Sequence, residues 1–204
     1  DIRLNTGAPG VCTVVVDGAE YAQDRAGVLC SNRKQHKIRV PRAALDRAGG
    51  YRVSFRATME RKSYYSLLGE EESVEYRFHP IGNKRKLRML CLADIHARFD
   101  DALRIAENAG SRPNLYIVNG DLSEFCTEED FDRAFAFLGR LAGGKTPILF
   151  GRGNHDTRGT MAEEVAERFP TADGNFYFTF PAGAFCGVML DCGEDKPDRG
   201  PEYG

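Results

Sequence analysis

The 204-residue sequence is 42% hydrophobic and 28% charged, with a formal net charge of -2, the balance of a folded globular chain rather than a disordered one. That charge offers no general attraction to nucleic acid or acidic lipid, so a nucleic-acid partner is not expected. No apolar run approaches the roughly 20 residues of a bilayer span, so no membrane partner is expected either. Asp1-Ile2-Arg3-Leu4 shows no basic start leading into an apolar core; with no signal peptide visible, a cytoplasmic location is expected. The six cysteines, Cys12, Cys30, Cys91, Cys126, Cys186 and Cys192, form no C-x-x-C pair, which argues against a thiolate zinc site or a redox dithiol. Free thiols are expected, with a Cys12–Cys30 bridge as the competing pairing. Cys91, inside an apolar run, reads as a small buried hydrophobe.

Residues 1–80 read as strands separated by turns. Residues 11–16 are apolar and β-branched, and Asp17-Gly18 supplies a turn. Ile38 and Val40 alternate with Lys37 and Arg39. After Gly49-Gly50, Tyr51, Val53 and Phe55 alternate with Arg52, Ser54 and Arg56, and residues 74–78 repeat the pattern. With no long helix in the pattern, a small β-sandwich is the expected solution. Pro80, Gly82 and the charged Lys84-Arg85-Lys86 mark a polar connector.

From residue 86 to 204 the rhythm becomes strand and helix in alternation, the pattern of an α/β domain. Residues 87–93 form a nearly continuous apolar run, expected to be a strand buried on both faces. A helix is expected from about residue 100, with Leu103 and Ala106 inward, and residues 115–118 as the next strand. Thr127 can cap a helix whose first turn carries Glu128, Glu129 and Asp130. Phe131, Ala134, Phe135, Leu138 and Leu141 fall at helical spacing, and Gly143-Gly144 ends the helix. Residues 147–150 read as a third strand. Thr160 and Glu163 match a capping box for a helix buried through Met161, Val165 and Phe169 and stopped by Pro170. Residues 175–180 and 185–190 read as two further strands.

Three polar clusters follow the three apolar strands: Asp94-Ile95-His96, Gly120-Asp121 and Gly153-Asn154-His155-Asp156. Ligands of α/β sheets bind beyond the carboxyl ends of the strands, so topology brings these distant clusters together. Carboxylate, imidazole and amide oxygen suit divalent cations with mixed oxygen and nitrogen ligands. Asp94 and His96, two residues apart, can aim at one ion, and the two oxygens of Asp121 can bridge two. Asn154 is a neutral ligand that limits charge build-up where an anionic phosphate must enter. His155 suits the substrate better than the metal, and Asp156 reads as a structural hydrogen-bond partner.

The order D-x-H, G-D, G-N-H-D, over about residues 86–204, resembles the calcineurin-like metallophosphoesterase superfamily. The resemblance implies a metal-dependent hydrolase of phosphoric esters, with a metallophosphoesterase-like β-sandwich flanked by helices. It implies two divalent ions, manganese, iron or zinc, about 3.5–4 Å apart, and in-line attack by a metal-bound hydroxide. Asp94 and His96 then hold the first metal, Asp121 bridges both, Asn154 holds the second, and His155 contacts the scissile phosphate and protonates the leaving group. Arg152 and Arg158 flank the third motif as candidate phosphate contacts. Residues 1–80 resemble the fibronectin-like or purple-acid-phosphatase-like domain found before such catalytic domains. The purple acid phosphatases themselves differ: their G-D-x-x-Y tyrosine falls at Glu124 here, and their first motif lacks the counterpart of His96.

The superfamily's later ligands, a lone histidine and a G-H-x-H, have no counterpart, since none of the four histidines, His36, His79, His96 and His155, follows His155. The expectation is therefore a C-terminally incomplete catalytic domain with one side of its sheet uncovered, inviting a homo-oligomer or another associating chain. A binding or scaffolding module with a vestigial metal site is the competing reading of this chain.

Overall fold

The computed structural model describes the chain except Asn83, Ser111, Pro170, Ala172, Asp173 and residues 192–204. The helix stop expected at Pro170 and the thiol of Cys192 lie outside the described residues. Two compact units emerge, Asp1–Pro80 with Gly144–Thr146, and Ile81–Gly143 with Pro147–Gly204.

The first unit contains β1 (Ile2–Asn5), β2 (Gly10–Val16), β3 (Ala19–Ala22), β4 (Asp24–Arg25), β5 (Val28–Leu29), β6 (Gln35–Ile38), α1 (Arg42–Ala48), β7 (Gly50–Arg61) and β8 (Ser66–Arg77). An antiparallel sheet runs in the order β3-β2-β7-β8, beside the ribbons β1-β6 and β4-β5. Alternation along β2 buries Cys12, Val14 and Val16, which pack with Ile38 of β6 and with Ile2 and Leu4 of β1. Asp17 (φ 50°) and Gly18 (φ 78°) form the two-residue turn that pairs Val16 with Ala19. Alternation in β7 differs from expectation at Ser54, which is buried while Val53 is only partly so. The short helix α1 was not expected; it follows Pro41, ends at Gly49 in the left-handed region (φ 64°), and sends Ala44 and Leu45 into the core.

The second unit contains β9 (Met89–Leu92), α2 (Phe99–Asn108), β10 (Leu115–Asn119), α3 (Glu128–Ala142), β11 (Ile148–Gly151), α4 (Val165–Arg168), β12 (Phe178–Ala182) and β13 (Phe185–Met189). The parallel sheet runs β11-β10-β9, and β12 and β13 form an antiparallel hairpin. The unit is α/β, with helices on one face of the sheet and the hairpin on the other. Tyr116 and Val118 of β10 and Ile148 and Phe150 of β11 meet the core that includes Phe99, Leu103, Phe131 and Phe137 of α2 and α3. Leu115, Ile117 and Leu149, pointing the other way, meet Phe180 and Ala182.

That cover stops short of β9. Met89 is 54% exposed and Cys91 is also exposed, so the expected two-sided burial of this strand and the buried place of Cys91 are both corrected. β9 is an edge strand, and no described strand pairs with its outer side. Cys12, Cys30, Cys91, Cys126 and Cys186 are all free, which removes the Cys12–Cys30 bridge. Helix α3 begins as its sequence indicates, Thr127 Oγ1 accepting from Asp130 N at 3.2 Å. The helix expected after Thr160 is shorter: a 3-10 turn at Ala162–Glu164 leads into the single turn α4, and the capping box does not form. Tertiary bonds compete with it, because Arg158 O accepts from Cys126 N at 2.8 Å and Met161 N donates to Cys126 O at 3.0 Å. Val165 and Phe169 are nevertheless buried, at 2% and 3% exposure. No described helix is long and apolar enough to cross a membrane.

In the first unit His36 is 3% exposed, and neither ring nitrogen has a hydrogen-bond partner among the described residues. Burial, reinforced by the Arg33 charge, holds its pKa below the ordinary 6.5. The unfolded imidazole takes a proton as pH falls through about 6.5 while the folded one resists it, so acidification favours the unfolded chain. Stability present above that pH is lost progressively down to the lower folded pKa. Urea unfolding followed by tyrosine fluorescence should show a falling midpoint between pH 7 and 5, and His36→Leu should flatten that slope.

Candidate metal centre

The site is made where the strands β9, β10 and β11 end. Gly120 takes φ 76°, and a Cβ there would collide with the backbone of Gly153; a Cβ on Gly153 would collide with the Asp121 carboxylate. The two glycines thus let the loop after β10 and the loop after β11 touch. Asp156, 6% exposed, ties them: its Oδ2 accepts from Asp121 N at 2.9 Å and from Gly153 N at 2.8 Å. Burial pushes the Asp156 carboxyl pKa up, opposed by the backbone N–H groups of Gly153, Asp121 and Leu122 that solvate the anion. Asp156 is therefore the structural partner that the sequence suggested.

The loop after β9 is drawn to the same place. Ile95 N and His96 N both donate to Asp121 O at 2.9 Å, and Ala97 N donates to Leu122 O at 2.8 Å. Asp94, His96, Ala97 and Asp121 all have φ between 48° and 60°, a region costly for residues with a Cβ and concentrated here at one spot. His96, Asp121 and His155 offer ligand atoms that all lie within 4.8 Å of one another. Asp94 is exposed and stands outside that group. Of the four expected metal ligands and His155, the structure brings four together: His96, Asp121, Asn154 and His155.

Asp121 Oδ1 accepts from His155 N at 2.8 Å, which leaves Oδ2 facing Asn154. With Nδ2 toward the carboxylate, Asn154 donates to Asp121 Oδ2 at 3.0 Å and accepts from Arg158 Nη2 at 2.9 Å. Turned over, the amide would set two oxygens side by side, the arrangement a shared cation needs. A second sign of fit is His96 Nδ1, which is buried and has no hydrogen-bond partner among the described residues. The donor set of imidazole, carboxylate and amide oxygen suits a borderline divalent cation. Cys126 does not join it: burial, with Asp156 and Asp130 nearby, pushes its thiol up to about 12, and Sγ donates to Asp156 O at 3.5 Å.

His155 and His96 meet edge to face at 4.6 Å. His155 Nδ1 lies 3.1 Å from Glu124 O, and His155 Nε2 lies 2.9 Å from Arg158 Nη1. A proton on Nδ1 would donate to the carbonyl and leave Nε2 to accept from Arg158, although Nη1 stands almost as near Nδ1, at 3.0 Å. Arg152 is placed differently. Its Nη2 and Nε meet the Asp191 carboxylate at 2.7 and 3.2 Å, and its guanidinium lies over Phe176 at 5.2 Å. Glu124 was singled out in the sequence only as a departure from the purple acid phosphatases, yet it reaches both site histidines; its offset of three residues from Asp121 was the signal.

Removing the Asp156 carboxylate tests the loop tie. Asp156→Ala orphans the buried N–H groups of Asp121 and Gly153, at about 1–3 kcal/mol for each. Its urea midpoint should fall well below that of Asp156→Asn, whose amide oxygen still accepts.

Residues 87–193, just over half of the chain, match the family model described as calcineurin-like phosphoesterase. The structure of the purple acid phosphatase PPD1 isolated from yellow lupin (Lupinus luteus) seeds aligns with a TM-score of 0.58 at 11% identity, over 96% of this chain and 42% of that one. A structure of PhoD aligns with a TM-score of only 0.39 at 14% identity, over 93% of this chain and 46% of that one. No curated protein matches the sequence. The lupin likeness bears on fold alone, including an all-β region ahead of an α/β one, and this chain spans less than half the length of that enzyme. The motifs at the three strand ends and the family match together place this chain in the calcineurin-like phosphoesterase family.

Proposed function

We propose that the protein hydrolyses phosphoric esters with two divalent cations held at the ends of β9, β10 and β11. The observation that carries this reading is the convergence of His96, Asp121 and His155 within 4.8 Å, on three strand-end loops tied by the Asp156 carboxylate. His96, Asp121 and Asn154 would hold the cations, with Asp94 joining through a small movement of its loop. When bound, such ions lower the pKa of a water and neutralise phosphoryl oxygens. Manganese, iron and zinc all accept these ligands.

The remaining work falls to residues of the chain. The Glu124 carbonyl, 3.1 Å from His155 Nδ1, would hold the proton there and leave Nε2 for the substrate, with Arg158 Nη1 lying against both ring nitrogens at 3.0 and 2.9 Å. Arg158 brings a planar donor fork to the place where phosphate oxygens would lie. His155, taking up a proton at Nε2, can deliver it to the leaving oxygen. Arg152, forked onto Asp191, holds the loop instead and is not the phosphate contact. The N-terminal unit would serve as a fibronectin-like or purple-acid-phosphatase-like accessory domain, and the open side of β9 at Met89 and Cys91 is where further polypeptide would complete the sheet.

Hydrolysis of a chromogenic phosphomonoester and a phosphodiester with added manganese should be abolished by chelator. Loss of an outer partner of a metal ligand costs 10–100-fold, so Asp121→Asn should cost at least about 100-fold. Arg158→Ala should raise KM, whereas Arg152→Ala should act mainly on stability. Cation binding without turnover of either ester would favour the binding-module reading.

A further inference from the structure

Glu124 lies in the loop after β10, and its carboxylate reaches across to both imidazoles of the site. Oε1 is 2.9 Å from His96 Nδ1 and Oε2 is 3.3 Å from His155 Nδ1. The first contact is not an aligned hydrogen bond: His96 Nδ1 is buried and without a hydrogen-bond partner among the described residues, although a carboxylate oxygen is that near. The oxygen therefore lies off the line of a ring N–H, where a hydrogen bond is weak. Two donors aimed past one another at about 3 Å have the spacing of neighbouring ligands on one ion, because ligands about 2.0–2.2 Å from a cation and at right angles to each other lie about 3 Å apart. A cation between them would satisfy the orphaned nitrogen and screen the carboxylate together.

We infer that Glu124 is a protein ligand of this metal centre, its Oε1 sharing one divalent cation with His96 Nδ1. The assignment rests on the metal centre proposed for His96, Asp121 and Asn154, and adds to it a carboxylate. The added charge shifts the donor set toward harder cations such as manganese. It also places a carboxylate against His96, where Asp94 is exposed and stands apart. The Glu124 side chain is 58% exposed, so it can adjust to a cation without disturbing the core.

The test measures cation binding by the whole chain rather than turnover. Manganese affinity by equilibrium dialysis should fall at least about 10-fold in Glu124→Gln and stay unchanged in the control Glu129→Gln, an exposed carboxylate on α3. Glu124→Cys loaded with cobalt(II) should gain a thiolate-to-metal charge-transfer band absent from the parent chain, a signature that a residue merely orienting His96 would not produce. Parental manganese affinity in Glu124→Gln, or a cobalt spectrum of Glu124→Cys superimposable on the parent's, would overturn the assignment while leaving the metal centre standing. Absence of cation binding by the parent chain would overturn both.

Discussion

The strand-end face of this unit depends on one buried carboxylate. Asp156 holds the backbones of Asp121 and Gly153 together, and nothing larger than hydrogen fits at Gly120 or Gly153 where those loops touch. The arrangement is costly. A desolvated carboxyl group is kept at the junction, and Asp94, His96, Ala97 and Asp121 sit in a backbone region that costs of order 1–3 kcal/mol each. Backbone bonds from Ile95, His96 and Ala97 to the Asp121–Leu122 segment oppose that strain. The product is an Asp121 carboxylate whose Oδ1 is fixed by His155 N, with Oδ2 facing Asn154.

Such strain needs a rigid support, and the sheet supplies it. Val118 and Phe150 are 0% and 1% exposed at the last turns of β10 and β11, one or two residues ahead of the loops that carry the site. Phe150 stacks on Phe169, and Phe99 on Phe137, so α2, α3 and α4 clamp the strands from one side. Phe180 and Ala182 cover the other side of β10 and β11. β9 lacks that second cover, and His96 and Asp94 follow it. The least supported strand therefore leads to the loop whose carboxylate stands apart from the cluster.

Legibility in the sequence followed the range of the interaction. Local signals were reliable: Thr127 caps α3, Gly143 ends it, and Asp17-Gly18 turns the first hairpin. The three strand-end clusters could be read because topology brings strand ends together whatever the sequence distance. The reading failed where a distant contact outweighed a local preference. The Thr160 capping box lost to bonds from Cys126, more than thirty residues earlier. Cys91 sits in an apolar run, but whether such a run is buried depends on a neighbouring layer that periodicity does not reveal. Helix α1 was missed although Arg42, Ala43, Ala44 and Leu45 are good helix formers and Gly49 is a stop, because the strand pattern on either side dominated the window.

The two arginines beside the third motif show the same limit at the level of chemistry. Arg152 and Arg158 are alike in type and nearly symmetric about Asn154 and His155, and no local feature separates a phosphate contact from a salt bridge. Their acidic and basic neighbours separate them. Asp191, 39 residues away, meets Arg152 with both oxygens, and a bidentate pair of that kind leaves little of the fork for a ligand. Arg158 instead turns toward the third motif, its Nη1 2.9 Å from His155 Nε2. A guanidinium forked onto a carboxylate is committed to structure, so it is Asp191, distant in sequence, that sets Arg152 apart from Arg158.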